Sequence, residues 1–325
     1  MVRRILCLAL MAALLIVPLA AAEGAAVRVA ALKGPTAMGM VKMMKEKTDA
    51  YEFTLVADPT EIAPLVLQGK VDIAAIPANL AAVLYNKTEG GVKVLNVNTL
   101  GVLYILARGD DIQTVADLKG RTLYASGKGA TPEYALDYIL KGNGLDPEKD
   151  LTIEFKTVHQ ECLAALLQDE NAAALLPQPF ATVAQIQAKQ QDAPVDLNIV
   201  LDLNEEWNAL QAGVESPSTL ITGVAIARAD FIEQNPDAVK QFMADYADSV
   251  AFVNDDNAAA AQLIGEFDIF QAGPAEKALP YCKIVFIAGE EMRTALGGYL
   301  AELFNQDPTA VGGAVPNEDF YYAAE

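Results

Sequence analysis

Short apolar runs and helical stretches of about ten residues take turns along most of this chain, and that alternation limits its fold more than any other feature. Residues 27–32 form a β-branched apolar run, after which Gly34-Pro35-Thr36 turns the chain into a helical stretch reaching Lys47. Residues 51–57 read as a second strand. Residues 60–70 read as an amphipathic helix with Ile62, Leu65 and Val66 on one face, and 71–76 as a third strand closed by Pro77. Strands at 92–98 and 103–107 follow, before Gly109-Asp110-Asp111 breaks the pattern. Repeated strand–helix–strand units of this length predict right-handed crossovers and a parallel sheet.

A second set begins after Asp117-Leu118-Lys119-Gly120. It has strands at 122–125, 151–158, 172–176 and 197–203, with helices at 132–140, 160–168 and 180–189. A strand at 220–227 is similar in composition to 103–107. The chain is then mostly helical (236–253, 258–267, 290–305) and closes in an irregular tail through Gly312-Gly313 and Phe320-Tyr321-Tyr322. Two α/β units without a flexible linker predict two lobes in contact, each a mostly parallel sheet flanked by helices. The strand at 220–227 returns the chain to the first lobe, so the expected limits are 23–108 with 215–325 for lobe 1 and 109–214 for lobe 2. A cleft between such lobes, at the carboxyl ends of strands, is where ligands bind.

The N-terminus reads as a targeting segment. Arg3 and Arg4 precede an apolar run over 5–19, broken by Pro18 and followed by Ala20-Ala21-Ala22. That order is a secretory signal peptide, with cleavage expected after Ala22. At roughly 15 residues the run is short of the ~20 needed to span a bilayer, and nothing later in the chain is long and apolar enough. Cys7 sits too early for a lipid anchor, so a soluble exported protein is expected. Basic residues number 23 against 43 acidic, a net charge of −20. Losing Arg3 and Arg4 takes it to −22, which repels phosphate backbones and argues against a nucleic-acid partner. One histidine, His159, leaves little room for imidazole zinc sites or Ser-His-Asp chemistry, and no cofactor or metal is expected. An oxidising compartment would permit a Cys162–Cys282 bridge, but their contexts favour two separately buried thiols.

Four loops could carry binding chemistry. In Lys33-Gly34-Pro35-Thr36-Ala37-Met38-Gly39, glycine allows close backbone approach and proline pre-sets a helical turn. The helix start there leaves free N–H groups that Thr36 can supplement. An ordinary capped helix would look the same, and no Gly-Lys-Ser/Thr follows to make a phosphate P-loop. Ser126-Gly127-Lys128-Gly129-Ala130-Thr131-Pro132 holds the equivalent place in the second unit. Its two glycines, two hydroxyls and lysine make a cradle for an anion or carboxylate, or only a flexible turn. After the third strands come Pro77-Ala78-Asn79 and Pro177-Gln178-Pro179-Phe180. Asn79 and Gln178 each offer donor and acceptor groups, to a ligand or to a helix end. Thr222 is a further candidate. Trp207 reads as packing at a lobe edge in preference to ligand stacking, and His159 as structural in preference to catalytic.

Taken together, these residues resemble a known family. The carrying motifs are Lys33-Gly34-Pro35-Thr36, Gln68-Gly69-Lys70-Val71-Asp72-Ile73-Ala74, Asp117-Leu118-Lys119-Gly120-Arg121-Thr122 and Pro177-Gln178-Pro179-Phe180. Phe231-Ile232-Glu233-Gln234-Asn235-Pro236 and the Gly312-Gly313 to Tyr322 close complete the set. The chain is similar to the solute-binding proteins of ABC importers, in the type 2 periplasmic-binding group that handles nitrate, alkanesulfonates, taurine and thiamine precursors. That resemblance implies a hinge of two crossing segments near 107–112 and 214–222. It also implies a small-molecule ligand held between the lobes, and a closed shape that an importer permease recognises, with no catalysis and a monomeric chain. Carried over by position, the contacts are Gly34, Thr36, Ala37, Met38, Pro77, Asn79, Ser126, Gly127, Lys128, Gly129, Thr131, Gln178, Phe180 and Thr222. Because most are uncharged, helix N-termini and hydrogen bonds, not arginine clamps, would hold the ligand. An enzyme on the same fold, resembling those of menaquinone or pyrimidine biosynthesis, is the alternative that the signal peptide opposes. A periplasmic sensor partner is a third.

Overall fold

The computed structural model describes residues 26–57, 59–214 and 217–323; the expected signal peptide lies outside the described residues. The apolar runs form strands β1 (Val27–Leu32), β2 (Tyr51–Val56), β3 (Ile73–Pro77), β4 (Val92–Leu100), β5 (Leu103–Arg108), β6 (Thr122–Ser126), β7 (Thr152–Lys156), β8 (Ala173–Pro177), β9 (Leu197–Asp202), β10 (Ile221–Arg228) and β11 (Ile284–Ile287). They build two sheets, in the orders β11-β4-β10-β3-β1-β2 and β7-β6-β8-β5-β9. Nearly continuous burial of β3 and β8 suits central strands covered on both faces, whereas β2 and β7 alternate and lie at edges.

Both sheets are mixed, where mostly parallel ones were expected. Within each, three strands linked by helices run parallel: β2-β1-β3 and β7-β6-β8. A fourth, arriving from the other lobe, enters antiparallel: β10 between β3 and β4, and β5 between β8 and β9. Neither of these arrives through the helical crossover that makes neighbouring strands parallel. The two sheets therefore share one plan and exchange one strand each.

The chain leaves the first sheet at Gly101-Val102, earlier than the expected 107–112. Strand β5, counted with the first lobe in the limits 23–108, pairs Leu103 with Pro177 and Tyr104 with Asp202 in the second sheet. Gly109-Asp110-Asp111 marks a strand end, and the step from one sheet to the other carries a much weaker turn signal. Close approach explains the glycine at the crossing: a Cβ on Gly101 would lie 2.8 Å from Asn204 Oδ1 and 2.9 Å from Leu220 Cδ2. The return path leaves the helix Leu203–Leu210 and re-enters the first sheet at β10. Thr222 Oγ1 donates to the Leu100 carbonyl at 2.6 Å, tying the two crossings together.

Helices cover both sheets. Ala78–Lys87, Pro236–Asp255, Asn257–Glu266 and Gly289–Gln306 belong with the first, and Thr131–Gly142, His159–Leu166, Phe180–Lys189 and Leu203–Leu210 with the second. The helix expected to reach Lys47 is broken at Gly39-Met40 into Pro35–Met38 and Val41–Glu46. Glycine is needed at the break, because a Cβ on Gly39 would fall 3.0 Å from Ile284 and 3.3 Å from Tyr246. One hydrophobic cluster runs through the crossing itself, from Leu103 and Ile105 to Leu220, Trp207 and Tyr299. Trp207 is wholly buried, 4.2 Å from the Tyr138 ring and 5.5 Å from Tyr299, with its N–H donated to Ser218 Oγ. That is the packing role. Cys162 and Cys282 are free and buried, and desolvation pushes their thiols up to about 11 and about 12. Among the described residues no helix is long and apolar enough to cross a membrane.

Candidate ligand site between the lobes

The loops after β3 and β6 touch across the seam between the two sheets, the loop after β8 touches the first lobe through Phe180 and Phe270, and the loop after β1 lies beside Gly223 of the first sheet. Gly34, after β1, has φ 126° and ψ −160°, a backbone only glycine adopts freely. It is buried, yet nothing lies within 4 Å of where a Cβ would stand, so its backbone borders open space. Thr36 donates its hydroxyl to the Leu32 carbonyl at 2.7 Å, which turns its methyl toward Gly223, where a Cβ would fall 2.6 Å away. Beside them Asn98 is fully buried. Its Oδ1 accepts from Thr99 Oγ1 at 3.0 Å, and its amide also hydrogen-bonds the Tyr246 hydroxyl in the core. Ala37 and Met38 were expected to touch ligand. They lie instead in the hydrophobic core with Val29, Leu95 and Tyr246, because the broken helix directs them into the body of the lobe.

Pro77 ends β3 opposite Gly223 and starts the helix Ala78–Lys87 without a side-chain cap, so Asn79 is not capping. Asn79 reaches across the seam: its Oδ1 lies 3.4 Å from Thr131 Oγ1, and its Nδ2 lies 3.4 Å from the Ala310 carbonyl. Tyr299 closes the group, with its hydroxyl 3.5 Å from Thr131 Oγ1. Each contact is at the long end of hydrogen bonding, the geometry of a loosely held pairing. Firmer ties between the lobes lie near the crossing. Tyr104 donates its hydroxyl to the Tyr281 carbonyl at 3.1 Å, and Lys283 pairs with Asp202 at 3.1 Å.

The loop after β6 divides its residues. Ser126 and Thr131 face inward and are buried, whereas Lys128 and Gly129 are exposed. The Lys128 ammonium sits 5.6 Å above the Phe155 ring and the Gly129 N–H is donated to Glu133, so the lysine is not part of an inward anion cradle. Gly127 has φ 81° and lies against Pro132, which starts the helix. Ser126 Oγ is 2.5 Å from His159 Nδ1. Burial lowers that imidazole to about 4, so it is neutral and a weak base near pH 7.

After β8, Gln178 is 1% exposed and divides its amide between two tasks. Its Oε1 caps the helix Phe180–Lys189 by accepting from the Thr182 N–H at 3.3 Å and the Thr182 hydroxyl at 2.9 Å. Its Nε2 has no partner. Phe180 stacks between lobes, 4.5 Å from the His159 ring and 5.4 Å from Phe270 of the first lobe. These three rings line a pocket of about 170 Å³. Thr222, in contrast, spends its hydroxyl on the Leu100 carbonyl.

The arrangement is thus a set of neutral donors. The buried Gln178 carboxamide nitrogen lacks an acceptor, the seam carries the Ser126 and Thr131 hydroxyls, and helices begin there with N–H groups that have no intrahelical partner. Lys33 is paired with Asp268 at 2.8 Å and Lys283 with Asp202, so neither cation is free for the seam. Among the described residues no group of three or more His, Cys, Asp or Glu could hold a metal. Such a site can hydrogen-bond ligand oxygens and carries no strong base. Asn98, Tyr299 and Phe270 were not singled out from the sequence. For Asn98 a signal existed, since Asn96 and Asn98 stand in a strand, where asparagine is depleted; Tyr299 and Phe270 sit in segments remote from every loop motif.

Residues 39–276 match a family model described as "ABC transporter, phosphonate, periplasmic substrate-binding protein". Among solved structures, an ABC transporter protein from Parabacteroides distasonis aligns with TM-score 0.76 at 22% identity, covering 93% of this chain and all of that one. The periplasmic aliphatic sulphonate binding protein SsuA from Escherichia coli aligns with TM-score 0.72 at 16% identity, covering 93% of each chain. The periplasmic nitrate-binding protein NrtA from Synechocystis PCC 6803 aligns with TM-score 0.52 at 16% identity, over 74% of this chain and 66% of that one. At such identities the likeness is one of fold. Comparison with curated proteins gives no match.

Proposed function

The chain belongs to the phosphonate family of ABC-transporter periplasmic substrate-binding proteins, and on that footing we propose that it is an exported monomer that captures a small organic oxyanion between its lobes and hands it, chemically unchanged, to an importer permease. The observation that carries this reading is the buried, unpartnered amide donor of Gln178, its Nε2. An unmade hydrogen bond at such depth costs about 1–3 kcal/mol, which a ligand with acceptor oxygens would recover. Helix starts after Pro77 and Pro179 add N–H groups of the same sign. A phosphonate or sulfonate group supplies several acceptors at once, and the neutral donor set suits a site that must also release what it binds.

The lobes, whose limits we place at Gly101-Val102 and at 211–220, would move about those two crossings. The long Asn79–Thr131 and Tyr299–Thr131 contacts would open while the core around Trp207 acts as the pivot. Ligand shifts this equilibrium only by binding the closed form better, which contacts from both lobes provide. The reading is non-catalytic. Ser126 and His159 are paired, but an imidazole lowered to about 4 is too weak a base to activate a hydroxyl at neutral pH. Thermal unfolding of the chain from Glu23 onward, with and without phosphonates and sulfonates, tests the proposal. Ligand at 100 times its dissociation constant adds about 2.7 kcal/mol; no shift with any of them after refolding from denaturant would sink it.

A further inference from the structure

The pocket beside Ser126 has no role in holding an oxyanion, and its walls say what else it holds. His159, Phe180 and Phe270 bring three rings to it, and Leu163, Leu176 and Val183 complete the wall. Its rim is Gln160, Gln187 and Gln271, all exposed, so it opens to solvent through neutral side chains. No Asp, Glu, Lys or Arg lines it. Two of its lining residues adjoin the polar seam. The His159 ring both lines the pocket and is bonded to Ser126 at 2.5 Å, and Phe180 lies two residues beyond Gln178. One of its rings, Phe270, comes from the first lobe and the others from the second, so the pocket is complete only when the lobes are together.

Size and ring geometry narrow the occupant. A dry cavity of about 150 Å³ with leucine, isoleucine and phenylalanine walls takes a benzene ring, and this pocket is about 170 Å³. The Phe180 and Phe270 planes stand at 84°, the edge-to-face arrangement into which a further flat ring fits by offset or edge contact. We infer that the ligand is an aryl oxyanion, with an uncharged phenyl-sized ring lodged between His159, Phe180 and Phe270 and its oxyanion on the neutral donors of the seam. This rests on the oxyanion-binding reading above and adds the class of the organic substituent.

Calorimetric titration of the chain from Glu23 onward with phenylphosphonate, butylphosphonate, methylphosphonate and 2-aminoethylphosphonate tests it. The expected result is phenylphosphonate binding about tenfold or more tighter than the other three. Val183→Phe, which fills the pocket and touches no seam donor, should erase that preference while methylphosphonate affinity stays within about threefold. Phe270→Ala, from the other lobe, should reduce the preference as well and serves if Val183→Phe unfolds. Equal affinity for all four, butylphosphonate as tight as phenylphosphonate, or a preference that survives both variants would overturn the aryl assignment and leave oxyanion binding standing. Binding of none of them would overturn both.

Discussion

At Gln178 one carboxamide serves the fold with its oxygen and leaves its nitrogen over. The oxygen caps a helix through Thr182, and the buried Nε2 is unpartnered. Gln178→Ala should therefore act twice. The lost cap should cost about 1 kcal/mol of stability, and the lost donor should weaken oxyanion binding by roughly 10- to 100-fold. Urea midpoints and calorimetry on the same preparation separate the two, and unchanged affinity would show that the nitrogen does not face ligand. His159 carries a pH dependence of definite sign. Its imidazole is lowered to about 4 by burial, whereas an unfolded histidine titrates near 6.5. Between those values the unfolded chain binds the extra proton, so stability falls as pH drops from about 6.5 to about 4. Partial exposure of the ring holds the loss to roughly 1–2 kcal/mol. His159→Phe should flatten that part of the stability curve, and an unaltered slope would show that the ring is not desolvated.

Elements read well from the sequence where apolar periodicity alone sets them. Strand β1 and the helix Phe180–Lys189 coincide with their expected limits, and most other strands differ by a residue or two. What periodicity could not show is which sheet a strand joins. An apolar run such as β5 has the same composition in either lobe, and only the crossing at Gly101-Val102 decides. The short β11 and the helices Leu203–Leu210 and Ala272–Ala278 carry no clear periodic signal, being brief or interrupted by glycine and proline. The site was half legible for a related reason. Turn residues locate loops, so the placements of Asn79, Ser126, Thr131 and Gln178 follow from motif position. Whether a side chain points inward depends on packing, which sends Lys128 out, Ala37 and Met38 into the core, and the Thr222 hydroxyl onto backbone. Two glycines make the point testable. Gly101→Ala forces a Cβ into Asn204 and Leu220 and should destabilise by about 1–3 kcal/mol in urea unfolding. Gly273→Ala, in a helix with nothing but its chain neighbours within 4 Å, should cost less, since the helix-propensity gain of up to about 1 kcal/mol is set against the clash of a new Cβ with Pro274. Equal effects would mean that the crossing is not closely packed.

For the whole molecule, two sheets that exchange one strand each make a pair of lobes joined by two short crossings, with a tryptophan core between them. The chain has one tryptophan, Trp207, held between Tyr138 and Tyr299, and Tyr299 also contacts the seam through Thr131. Lobe movement should therefore alter its emission, and a ligand that closes the lobes should change Trp207 fluorescence in a saturable way. The central claim is capture without chemistry. Its most direct test is one calorimetric titration of the chain from Glu23 onward with phosphonates, followed by ³¹P spectra of the cell contents. Saturable one-to-one binding by at least one of them is expected, with every phosphorus resonance still that of the added ligand. Heat from steady turnover, with a new phosphorus species, would contradict it, and so would the absence of binding by every phosphonate tried.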